Sequence, residues 1–143
     1  MFGNKIFLPL FSLCLFSCVY FNTFYNAENS FKQANEIIDA TSSYNNSSND
    51  IPTNAKKLLR ESISSSNIVI NEYKESKYVD DAIYYMARSY FSLSEFYKAE
   101  KYFTEIVQNH INSPYYYESK LWLEYTYFKL NKLDSIISNV KQI

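Results

Sequence analysis

The sequence predicts an all-α fold, a short solenoid of antiparallel helix pairs, and three observations carry that prediction. Glycine occurs once, at Gly3, and prolines only at 9, 52 and 114, so long stretches run without a residue that breaks a helix. Apolar residues recur three and four apart along most of the chain, the period of one helix face. The pattern also returns after 37 residues: Tyr90 matches Tyr127, Leu93 matches Leu130, and Ser76 matches Ser113. A period in that range, with two helices per unit, is the mark of stacked helical repeats.

The first element is a signal. Lys5 precedes an apolar stretch, Ile6–Phe16, and Leu15-Phe16-Ser17-Cys18 closes it with a small residue before a cysteine, the order of parts in a secretory signal. Counted to Phe21 the run has 16 residues interrupted by Pro9, short of the about 20 needed to span a bilayer. The tetrapeptide reads as a bacterial lipobox. Cleavage then removes residues 1–17 and leaves a lipid on Cys18 as the anchor and the one covalent group. Phe16 is bulky for its place, and the charged region holds only Lys5, so an uncleaved anchor or an ordinary signal with an incidental cysteine are the competing readings. Cys14 is a poorer acceptor because Leu13 precedes it. With Cys14 discarded and Cys18 lipidated, no thiol remains for disulfides, zinc or catalysis. Val19 is not the Asp that retains some lipoproteins at the inner membrane, which favours the outer one.

Residues 18–41 form the lipid-anchored N-terminal helix, with Phe24, Ala27, Phe31, Ala34, Ile37 and Ile38 on one face of Tyr20–Thr41. Residues 42–54, rich in Ser and Asn and holding Pro52, form a polar loop. The solenoid occupies 55–143. Its first helix, Ala55–Glu75, places Leu58, Leu59, Ile63, Ile68 and Val69 at helical spacing, although Ser62–Asn67 is a weak helix by propensity. Lys77–Leu93, Glu95–His110, Pro114–Leu130 and Lys132–Ile143 follow. Ser94 stands where an N-cap is needed. Ser113-Pro114 offers a cap followed by a proline at the first helical position. Asp80 and Asp81 fall in a first turn, where carboxylates complement the helix dipole.

The stretch Ile83-Tyr84-Tyr85-Met86-Ala87-Arg88-Ser89-Tyr90, followed by Ala99, Phe103 and Ile106, resembles a tetratricopeptide repeat. That family sets a small residue (Ala87), an aromatic three later (Tyr90), then Ala (Ala99) and a large apolar residue (Phe103). Small residues let the paired helices approach, and aromatics fill the gap to the next pair. Ala87 stands where Gly is usual, and the period is 37 instead of about 34. Ser76-Lys77-Tyr78-Val79-Asp80-Asp81-Ala82 and Ser113-Pro114-Tyr115 resemble the inter-repeat turns of BamD-like outer-membrane lipoproteins. Cys18-Val19-Tyr20-Phe21-Asn22-Thr23-Phe24-Tyr25-Asn26-Ala27 resembles the segment that follows the lipid cysteine in bacterial tetratricopeptide lipoproteins. Such turns also occur in periplasmic repeat proteins of the Tol–Pal and cell-division machinery. The chain is short for the BamD-like group, and no polar capping helix follows Lys132–Ile143. Either it is a truncated member, or a partner covers the last pair.

The resemblance implies a scaffold on the periplasmic face of the outer membrane, held by its lipid and binding protein partners, a β-barrel assembly subunit among them. It further implies that the first helix of each pair lines a concave surface. Asp81, Tyr84, Arg88 and Phe91 then face inward in one repeat, and Glu118, Leu121, Tyr125 and Phe128 in the next. Each of these can equally pack on a neighbouring helix. If they bind a partner, Tyr84→Ala with Arg88→Ala weakens capture and spares helicity. Ile83, Met86, Ala87, Tyr90, Ala99, Phe103, Ile106, Leu123, Tyr127 and Leu130 form the structural set. A net charge of −1, without charge runs, gives no nucleic-acid footprint. The Tyr and Phe content follows from AT-rich codon usage, and the absence of glycine after Gly3 excludes Gly-rich phosphate loops. The single histidine, His110, sits at a helix C-terminus with neither a second histidine nor a thiol to share a metal. The reading is therefore not an enzyme and carries no metal site or cofactor.

Overall fold

A single helix, α1 (Phe7–Tyr44), opens the computed structural model, which describes residues 7–44 and 50–132. Four helices follow: α2 (Thr53–Glu72), α3 (Val79–Ser92), α4 (Phe96–Asn109) and α5 (Tyr116–Lys129). No strand occurs among the described residues, so the chain is all-α as its glycine-poor, helix-periodic sequence predicts. No helix among them is long and apolar enough to cross a membrane. The start of the expected signal, the middle of the polar loop and all but Lys132 of the last expected helix lie outside the described residues.

The backbone of α1 passes through Cys18 without interruption. Its buried face is the expected one, Phe24, Ala27, Phe31 and Ala34, with Ile37 and Ile38 partly covered. The buried stripe of α2 differs from the one expected. It runs Ala55, Leu59, Ser62, Ser66, Val69, while Ile68 is exposed. The serine-rich segment that looks weak by propensity is the part that needs small residues. Both serines are fully buried, and Ser62 Oγ donates to the Ala27 carbonyl at 2.8 Å. With only methyl and hydroxymethyl groups between them, two helices approach closely.

Ring contacts give the course of the odd-numbered helices. Phe24 meets Tyr78 and Phe31 meets Tyr85. Tyr84 meets Tyr115, Arg88 meets Glu118, and Phe91 meets Trp122 and Tyr125. Residue numbers rise together in each series, so α1, α3 and α5 run parallel. The helices α2 and α4 lie between them in sequence, each packed on its two neighbours. A short turn joins α3 to α4, where Tyr90 stacks on Tyr102 and Phe91 abuts Phe96, the geometry of an antiparallel hairpin. The core of this pair is Ile83, Met86 and Ala87 against Ala99, Phe103 and Ile106, all buried. Leu123 is buried too, and Tyr90, Tyr127 and Leu130 are partly so. The structural set is thus where the sequence puts it.

The 37-residue repeat extends to single hydrogen bonds. At the end of α3, Leu93, Ser94 and Glu95 donate their N–H groups to Ser89, Phe91 and Tyr90. At the end of α5, Leu130, Asn131 and Lys132 donate to Thr126, Phe128 and Tyr127. Ser94 and Asn131 are the two described residues with positive φ, 60° and 57°. The other turn repeats as well: Tyr73, Ser76, Val79 and Ala82 pair as His110, Ser113, Tyr116 and Ser119 do. Two expected caps are corrected here. Ser94 is no N-cap; it holds the left-handed bend, and Glu95 precedes α4. Ser113 and Pro114 lie in a lead-in turn, with Tyr115 immediately before α5. Ser113 Oγ still accepts the Tyr115 N–H, as Ser76 Oγ accepts that of Tyr78.

Candidate functional site

The expected binding residues fall on the α3 and α5 sides of one interhelix seam and on the outer side of α5. On α3, Tyr84 is buried and stacks on Tyr115 with ring centroids 4.2 Å apart. Its hydroxyl donates to Glu118, and Arg88 Nη1 donates to the Tyr84 oxygen at 2.7 Å and to Glu118 at 3.1 Å. The Arg88 guanidinium lies 3.7 Å from the centre of the Trp122 ring and 5.3 Å from that of Phe31. One cation therefore ties α1, α3 and α5 together, in the geometry where a cation over an aromatic face is most favourable. Phe91 is wedged between Phe96, Trp122 and Tyr125. These α3 side chains are engaged by the next helix and are not a free surface. The reason is the repeat step itself, which sets α5 over the outward side of α3. The Tyr84→Ala, Arg88→Ala pair consequently removes a helix–helix joint, and a loss of capture by that variant would not by itself report a binding contact.

A second polar chain crosses the same seam. Tyr85 donates to Glu28 at 3.0 Å and lies 3.3 Å from the Tyr115 hydroxyl. Lys32 donates to Glu28 at 2.7 Å, and this bond holds the Glu28 carboxyl below its ordinary range. Burial pushes the Tyr84, Tyr85 and Tyr115 hydroxyls up, so all three stay protonated and serve as donors. Asp81, half-buried in the first turn of α3, is pushed up to about 6 by burial and then by the neighbouring Asp80. This aspartate pair complements the dipole at the helix start.

On α5 the arrangement is different. Glu118 and Tyr125 turn toward α3, but Leu121 and Phe128 are 69% and 59% exposed and Tyr125 is 43% exposed. Tyr117, absent from the expected set, is 81% exposed on the same face. Positions 117, 121, 125 and 128, spaced four, four and three, make a continuous stripe. Trp122 and Tyr115 were legible only through the repeat: they occupy the Tyr85 and Tyr78 positions one period on, and they do the bridging. His110 ends α4 as expected and borders an open cleft of about 380 Å³ with Lys74, Lys77 and Asp80. Among the described residues no group of three His, Cys, Asp or Glu could hold a metal ion.

No family model, no curated protein and no solved structure matches this chain.

Proposed function

We propose that this protein is a lipid-anchored scaffold of the tetratricopeptide type, tethered through Cys18 to the outer membrane and binding protein partners in the periplasm. Its role is BamD-like, in the assembly of outer-membrane β-barrels. The observation that carries the reading is the exposed stripe of α5, four large apolar or aromatic side chains in a row on one helix face. Large apolar and aromatic side chains held in a row on a rigid helix are what a protein interface uses as anchors.

The test is co-purification of the tagged protein from detergent-solubilised native membranes after mild crosslinking. A large outer-membrane barrel with periplasmic repeats among the captured proteins is the expected result. Peptidoglycan-associated or division proteins without a barrel would transfer the scaffold to the Tol–Pal or cell-division class. Separately, Cys18→Ser is expected to release the protein into the soluble periplasmic fraction. Its retention in membranes would overturn lipidation as the sole tether.

A further inference from the structure

We infer that α5 is locked onto α3 and α1 by a hydrogen-bond chain that takes up a proton at the Asp80–Asp81 pair, so that this joint is tighter in mildly acidic than in alkaline solution. The chain crosses three helices. The Asp81 carboxyl, in the first turn of α3, interacts with Asp80 beside it and with the Tyr115 hydroxyl from the turn before α5. Tyr115 in turn lies 3.3 Å from the Tyr85 hydroxyl, and Tyr85 donates to Glu28 of α1 at 3.0 Å. Lys32 donates to the same Glu28 oxygen at 2.7 Å and holds that carboxyl below its ordinary range, so Glu28 only accepts. Tyr115 also stacks on Tyr84 with centroids 4.2 Å apart, which places the chain at the hinge where α5 begins.

Counting protons shows what the aspartates do. A hydroxyl carries one proton and an ionised carboxylate none. With both aspartates ionised, the contacts Asp80–Asp81, Asp81–Tyr115, Tyr115–Tyr85 and Tyr85–Glu28 share only the protons of Tyr115 and Tyr85. Tyr85 spends its proton on Glu28. If Tyr115 donates to Asp81, its oxygen and that of Tyr85 face each other lone pair to lone pair. If it donates to Tyr85, the Asp81 charge loses its donor. A proton bound by the pair either joins Asp80 to Asp81 or bonds Asp81 to the Tyr115 oxygen, which frees the Tyr115 proton for Tyr85. One more contact is bridged in both cases. Burial of Asp81 favours that uptake, and the link is lost as pH rises through about 6. The other charged groups near the pair are placed differently: Lys74, Lys77 and His110 line the open cleft on the Asp80 side, and Glu118 is engaged by Tyr84 and Arg88. One period later the pair becomes Tyr117-Glu118, so the device belongs to the start of α3 alone.

The experiment titrates the Asp81 carboxyl by NMR in the full chain, in Tyr85→Phe and in Tyr115→Phe, and follows α5 amide exchange at pH 5 and pH 7.5. Neither substitution changes a formal charge. Tyr85→Phe is expected to lower the Asp81 midpoint by at least about half a pH unit, because the Tyr115 proton then has Asp81 as its one acceptor. Tyr115→Phe is expected to raise it by about as much, because the ionised carboxylate loses its donor. Protection of α5, corrected for intrinsic exchange, is expected to fall about threefold between the two pH values. That fall is expected to disappear in Asp81→Asn, whose amide donates at every pH, and to persist in His110→Gln. Midpoints that stay fixed, or that move in the same direction in the two variants, would reduce the chain to an isolated aspartate pair and overturn the inference. So would a fall in protection that survives Asp81→Asn or vanishes in His110→Gln.

Discussion

Asp81 shows how much a single residue's surroundings decide. Its place in a first turn favours the charged form, and burial beside Asp80 opposes it more strongly, leaving the carboxyl near 6. The folded chain therefore binds this proton more tightly than the unfolded one, whose carboxyl is near the ordinary 3.8. The stability Asp81 contributes is full below that ordinary value and is lost as pH rises through about 6. Asp81→Asn is expected to stabilise the protein at pH 8 by about 1 kcal/mol, a figure reduced for the half-exposed site, and to change little at pH 4. Urea midpoints of the two proteins at both pH values check it, and an equal difference at each pH would remove Asp81 as the cause. Arg88 teaches a related point. From the sequence it is an exposed arginine on a helix, as suited to a partner as to a neighbour. Besides Tyr84 on its own helix, it contacts Phe31, Glu118 and Trp122 on helices far away in the chain, and no local pattern announces those three.

At the scale of elements, helix existence and order were legible because the three-four spacing survives in every segment. The α2 stripe was not, because Ser62 and Ser66 are polar by composition and buried by geometry. Hydropathy cannot see a position chosen for smallness. The turn after α3 misled for a similar reason. Serine is a common cap, but here Ser94 carries a positive φ, a conformation that costs most residues about 1–2 kcal/mol and glycine nothing. The repeat uses Asn131 at the same point, and asparagine tolerates that bend better. Ser94→Gly should therefore raise stability by up to about 1 kcal/mol, and Asn131→Gly by less. Thermal unfolding of the two variants decides it, with a larger gain at 131 counting against this account.

For the whole molecule, each helix packs on its neighbours in sequence, with α1 also reaching α3. Stability in such an array is a sum over adjacent units, and opening begins where a unit has fewest neighbours. Amide exchange is expected to be slowest in α3, which contacts α1, α2 and α4 and is bridged to α5, and faster in α5. Equal protection of the two would show the array opening as one block. The repeat was readable from sequence because its turns recur residue by residue. Which copy of the face stays open was not, since that depends on the next helix along and not on the face itself.

The uninterrupted course of α1 has a mechanical meaning. If Cys18 carries the proposed lipid, the buried Phe24 stands six residues further along the same helix, a rise of about 9 Å. On the proposed anchor, a continuous helix over that span would hold the repeat body close to the bilayer.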